Sequence, residues 1–171
     1  MITSGQQLLC PKSFLNIFLM LCVALAICGQ SFARQRELTR RDPWNKTQVI
    51  MPEELARLLS NSGDKKPLVV CAGFDFLYKG AHIPGAEFIG PAREAKGIGA
   101  LKKWAHGIPR NQEVVVYCGC CPFKECPNIR PAFQVLHQAG LKRLKVLYLE
   151  NNFAKDWVEK GLPVEKEAEK K

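Results

Sequence analysis

Charged side chains are almost missing from the first 33 residues, where Lys12 stands alone. From Phe14 to Cys28 the chain reads FLNIFLMLCVALAIC, interrupted only by Asn16, and Ser31-Phe32-Ala33 follows with small residues at the two positions a signal peptidase reads. A basic start, a short apolar run and a small-residue end predict a cleaved secretory signal peptide over residues 1–33. The run is short for a membrane span of roughly 20 residues, so no membrane anchor is expected after cleavage. Ile27 before Cys28 is too bulky for lipoprotein processing. Acidic residues are also scarce, 16 against 25 Lys+Arg, for a net charge of +9 that signal removal lowers by one to +8. That surplus favours small anions or anionic surfaces, or is simply a solvated basic surface. A basic stripe interleaved with aromatics is absent, which excludes nucleic acid as the expected partner. No internal repeat is visible. With 47% hydrophobic residues, three tryptophans and nine phenylalanines, wholesale disorder is excluded, and 171 residues suit one domain rather than two.

Residues 34–47 are polar and charged and read as a flexible lead-in; residues 166–171 read as a charged tail. Met51-Pro52-Glu53-Glu54-Leu55 suits a helix start, with proline in the first turn and acids at the positive end of the dipole. Leu55, Leu58 and Leu59 form its apolar face. Strands are predicted at 67–71, 87–89, 113–117 (EVVVY) and 145–149, and helices at 92–106, at 128–137 with Asn128 as its cap, and at 152–160. Short apolar strands alternating with helices predict an α/β fold, a central parallel sheet with helices on both faces. Ligands of such sheets sit beyond the carboxyl ends of the strands.

Removing the signal takes three of the eight cysteines and leaves Cys71, Cys118, Cys120, Cys121 and Cys126. Four of these fall within nine residues, which indicates a site rather than a spread disulfide framework. Cys118 follows the strand ending at Tyr117 and precedes a helix. Unpaired N–H groups and the helix dipole there would lower a thiol pKa below its free value of about 8.5 and stabilise a persulfide. Lys124 and Arg130 are candidate contacts for an anionic donor.

Gly80-Ala81-His82-Ile83-Pro84-Gly85-Ala86, the strand Val114–Tyr117 leading into Cys118, and Ala139-Gly140, Val146–Leu149, Trp157 and Gly161-Leu162-Pro163-Val164 together resemble the rhodanese-like sulfurtransferases over residues 48–165. The resemblance implies a rhodanese-like domain that moves sulfane sulfur through a persulfide on Cys118. It implies a small anionic sulfur donor, expected near Gly119, Lys124 and Arg130, a thiol or cyanide-like acceptor and no cofactor, while the segment 1–33 predicts an exported location, periplasmic or secreted. His82 and Pro84 would shape a loop without a catalytic role.

The chain departs from that pattern in three places. The loop Gly119–Pro127 is several residues longer than usual, Cys71-Ala72-Gly73 replaces an Asp-x-Arg, and Asn151-Asn152 replaces paired glycines before the last helix. The extra cysteines suggest three uses. Cys126 could pair with Cys120 or Cys121, one of these could resolve an oxidised Cys118, or the cluster could hold a metal with Cys71 as a further ligand. The spacing is not the paired CxxC of a structural zinc site, which places metal after disulfide or redox use. A thiol–disulfide protein on a rhodanese scaffold and a non-enzymatic metal- or partner-binding module are the rival readings. A cysteine phosphatase is excluded, because Lys124 stands where its arginine would be needed.

Overall fold

Five short strands form where β-branched and apolar residues run together. They are β1 (Val49–Ile50), β2 (Leu68–Cys71), β3 (Glu87–Phe88), β4 (Glu113–Tyr117) and β5 (Arg143–Leu147), all parallel, in the order β1-β5-β4-β2-β3. This computed structural model describes residues 42–61 and 66–167. The expected signal peptide and residues 34–41 of the lead-in lie outside them. The helices are α1 (Pro52–Asn61), α2 (Asp75–Gly80), α3 (Ala95–His106) and α4 (Ile129–Gln138), followed by a π-helical turn at Ala154–Val158.

The two faces of β4 separate by the period of two that a strand imposes. Val114, Val116 and Cys118 point to one side, with Phe133, Leu136, Leu101 and Ala105 from α3 and α4. Val115 and Tyr117 point to the other, with Leu55 of α1, Tyr78 of α2 and Trp157. Both faces are dry, as a parallel sheet requires. The expected α/β architecture is therefore present.

Several boundaries differ from expectation. The last strand begins two residues early, at Arg143, and its ladder ends at Leu147. Beyond it the Tyr148 N–H still reaches the Ile50 carbonyl at 2.9 Å, which makes the two-residue β1 an edge that the sequence pattern does not announce. The last helix is reduced to the π-helical turn. The end of the lead-in is not free. Trp44 packs its ring 5.2 Å from Phe123 and 5.3 Å from Phe133, and Asp42 pairs with Arg130 at 2.7 Å.

The Gly80–Ala86 loop is pinned from inside. His82 is buried, stacks on Tyr78 at 3.9 Å and contacts the Tyr78 carbonyl through Nδ1 at 2.8 Å. A single antiparallel bridge joins His82 to Glu165 through hydrogen bonds of 2.8 and 2.9 Å, and the Glu165 carboxylate accepts the Gly85 N–H at 3.0 Å.

Candidate functional site

The loop Cys118–Pro127 leaves the carboxyl end of β4 and folds back on itself. Gly119 turns the chain with φ +78°, a left-handed value that L side chains rarely adopt. An added Cβ there would sit 2.7 Å from the Phe153 Cβ, and the Gly119 carbonyl accepts the Phe153 N–H at 3.0 Å. The Phe123 N–H donates to the Leu149 carbonyl at 3.0 Å, and a 3-10 turn at Phe123–Glu125 brings Cys126 back to Cys118. The neighbouring end of β2 approaches closely. A Cβ on Gly73 would meet the Cys118 carbonyl at 2.6 Å, so the position where an Asp-x-Arg would end admits no larger residue.

Four sulfurs gather as a result. Cys118 Sγ lies 3.2 Å from Cys120 Sγ, which lies 3.1 Å from Cys121 Sγ, and the sulfurs of Cys118, Cys120 and Cys126 all fall within 4.8 Å of one another. Cys118 and Cys126 are buried; Cys120 and Cys121 are half-buried. Asn128, fully buried, donates its side-chain amide to Cys118 Sγ at 3.3 Å and reaches Cys120 Sγ at 3.9 Å, while its Oδ1 accepts the Arg93 N–H at 3.0 Å.

The electrostatics follow from who donates to whom. The Cys118 thiol donates to Cys120 and Cys126, and these bonds, with burial, push its pKa far up. The same bond from Cys118 holds Cys120 down at about 5, against the opposing effect of burial. Cys126 is lowered by Cys118 first, with help from the N–H groups of Asn128 and Ile129. Cys121 is pushed up by burial and by Cys120. The N-terminus of α4 therefore serves Cys126. Cys118 was expected to be the sulfur activated there, but α4 begins at Ile129, beyond the long loop, and the donors that favour a Cys118 thiolate are the Cys120 N–H and the Asn128 side-chain amide.

A cavity of about 400 Å³ opens beside the cluster. Cys118, Gly119 and Cys120 line it with Cys71, Tyr117, Tyr78 and Phe153, and Phe76, Leu77 and Val158 expose apolar surface around it. Among the described residues, no Lys, Arg, Asp, Glu or His lines it. The Tyr117 hydroxyl is buried without a hydrogen bond of normal geometry, near the Cys71 thiol.

Solved structures share this arrangement of sheet and helices. A rhodanese-like domain from Anabaena matches with a TM-score of 0.51 at 21% identity over 70% of this chain and 80% of its own. A Bacillus halodurans protein matches with a TM-score of 0.53 at 18% identity over 81% and 85%. The thiosulfate sulfurtransferase of Pseudomonas aeruginosa matches with a TM-score of 0.50 at 23% identity, over 74% of this chain but 20% of that one.

The chain has the rhodanese-like fold.

No family model matches the sequence, and no curated protein matches it. On the rhodanese-like scaffold, Cys118 stands at the end of β4, where the sequence puts it, and lines the cavity. Gly119 also lines the cavity. The two expected anion contacts do not. Lys124 is exposed on the 3-10 turn. Arg130 pairs with Asp42 at 2.7 Å, lies over the Trp44 ring at 5.7 Å and reaches the Phe123 and Cys126 carbonyls at 3.5 Å, so it braces the loop from outside.

Cys71, considered as a further metal ligand, packs on the opposite face of the sheet from Cys118, and burial raises its thiol to about 11. All five described cysteines are thiols in this structure. Asn128 was read as the α4 cap, yet its side chain makes no capping bond and turns to the sulfurs instead. The signal was in the sequence: a short polar residue ten positions after Cys118, read only for its backbone preference. Asn151-Asn152 form the turn facing the loop, fixed by two N–H bonds to the Asp156 carboxylate at 2.6 and 2.9 Å.

Proposed function

We propose that the protein is a sulfurtransferase that carries sulfane sulfur as a persulfide on Cys118. The observation that carries this reading is the Cys118 sulfur at the end of β4, facing the cavity and 3.2 Å from a second sulfur able to take its proton. The Cys118 proton passes to Cys120 as the Cys118 sulfur attacks the terminal sulfur of the donor. The donor's S–S bond breaks, the donor leaves as a thiolate, and the new S–S bond stands on Cys118. An acceptor thiolate then takes that sulfur and returns Cys118 to its resting state. No net oxidation occurs.

The uncharged wall of the cavity favours a donor whose sulfur rides on an apolar body over a small dianion such as thiosulfate. A specific observation favours a second reading, in which the Cys120 thiolate attacks the donor first and carries the sulfur, since it is the more exposed and the more readily ionised of the pair.

Intact and peptide mass after incubation with an organic persulfide tests both. One added sulfur atom on Cys118, lost in Cys118→Ser and kept in Cys120→Ser, supports the first reading. The reverse pattern supports the second. No added sulfur in the wild-type protein with any donor would remove both and leave the redox or binding-module readings. Export, expected from residues 1–33, is part of the same proposal, and finding the full-length chain in the soluble cytoplasmic fraction would refute it.

A further inference from the structure

The three sulfurs of Cys118, Cys120 and Cys126 are spaced irregularly in sequence and meet within 4.8 Å of one another in space. We propose that they form a three-coordinate thiolate site for a soft monovalent cation, copper(I). Thiolate sulfur is the ligand type that selects copper(I) and zinc among biological cations. The number of ligands decides between the two. A structural zinc site wants four, tetrahedrally placed. Cys121 is adjacent to Cys120 in the chain and falls outside the group of three, and Cys71 belongs to the opposite face of the sheet.

The surroundings suit such a site. Ligands of a metal are usually held by hydrogen bonds from an outer ring of groups. Here Asn128, itself fixed by the Arg93 N–H, holds Cys118, and the N–H groups of Asn128 and Ile129 face Cys126. Binding makes three S–Cu bonds, releases to solvent the protons that Cys118 and Cys126 still carry, Cys120 being already ionised near neutrality, and leaves the oxidation state of copper unchanged. The loaded site carries two net negative charges, which these donors offset. Cys120, half-buried on the larger cavity, provides the route for exchange. The inference stands apart from sulfur transfer, although the two uses of Cys118 exclude one another at any moment.

The test is anaerobic titration of the reduced full chain with copper(I) against a chromophoric copper(I) chelator, with no sulfur donor present. One retained equivalent and an X-ray absorption spectrum with three sulfur neighbours are expected. Cys126→Ser should weaken retention by more than the roughly 100-fold that loss of an outer partner can cost, and Asn128→Ala by about 10-fold. Cys121→Ser should leave retention unchanged. Circular dichroism checks the fold, and Cys120→Ser, at a half-buried position, replaces Cys126→Ser if the latter does not fold. Failure to retain copper, two sulfur neighbours, equal loss in Cys121→Ser and Cys126→Ser, or tighter retention of zinc than of copper would each overturn the proposal. Sulfur loading is read separately on metal-free protein, so either function can fail alone.

Discussion

Asn128 donates its side-chain amide to the Cys118 sulfur at 3.3 Å, a bond between the start of α4 and the end of β4 that ties loop order to sulfur chemistry. Both groups are buried, and the Asn128 oxygen is committed to the Arg93 N–H at 3.0 Å.

Asn128→Asp should therefore act on the sulfurs before it acts on the fold. A carboxylate keeps the acceptor for Arg93 but removes the donor and adds negative charge beside Cys118 and Cys120. The pH midpoint for alkylation of Cys120 should rise by about one unit or more. Asn128→Ala leaves the Arg93 N–H without its partner and should cost about 1–3 kcal/mol in denaturant unfolding. An unchanged alkylation profile in Asn128→Asp would show that the amide does not control the cluster.

The pH dependence has a definite sign. Cys120 falls from an ordinary thiol value of 9.0 to about 5 in the folded chain. Its ionised form therefore adds stability that is fully present above the unfolded value and is lost as pH drops through that window toward about 5. Under reducing conditions, iodoacetamide should modify Cys120 at a rate that is flat near neutrality and halves near pH 5. Cys71, raised to about 11, should stay unreactive until the alkaline range. A half-maximal rate for Cys120 near the free-thiol value of about 8.5 would contradict the arrangement.

Arg130→Ala separates bracing from anion binding. The side chain pairs with Asp42 and lies over Trp44, away from the cavity. Loss of both contacts should lower stability by about 1 kcal/mol, less so at high salt. The KM for an anionic donor should not change. A large rise in KM with unchanged stability would restore Arg130 to the substrate site.

Gly119→Ala places a side chain at φ +78° and within 2.7 Å of the Phe153 Cβ. Backbone strain alone should cost about 1–3 kcal/mol. The loop must shift to relieve the contact, so sulfur loading should fall as well as thermal stability. Full loading with an unchanged melting temperature would mean the turn is not fixed by Phe153.

Much of this arrangement is legible in residue order. EVVVY followed by Cys118 predicts a buried strand ending at a thiol, and Gly80–Ala86 predicts the loop that His82 shapes. The place of Cys71 is not legible: spacing leaves it as a further metal ligand, and it is the pairing of Cys71 with Tyr117 across β2 and β4 that sets it on the face opposite Cys118. Other features depend on tertiary contacts. The two residues of β1 are a strand only because β5 lies beside them, and six-residue α2, with Phe76 and Tyr78, has too little periodicity to stand out from a loop. The length of the loop moves the dipole of α4 from Cys118 to Cys126, and a nine-residue return path cannot be read from spacing. The surplus of positive charge suggested an anion site near the cysteines; packing sends Arg130 to Asp42 instead.

The bridge between His82 and Glu165 sets a limit on how far the chain can be shortened. Glu165 supplies both backbone bonds to His82 and a carboxylate to the Gly85 N–H, and His82 in turn stacks on Tyr78, which lines the cavity. A truncation before Glu165 would keep every strand of the sheet yet release the wall opposite the sulfurs. The smallest fragment that folds and the smallest fragment that works are thus set by different residues, and limited proteolysis near the C-terminus should abolish ligand uptake before it melts the sheet.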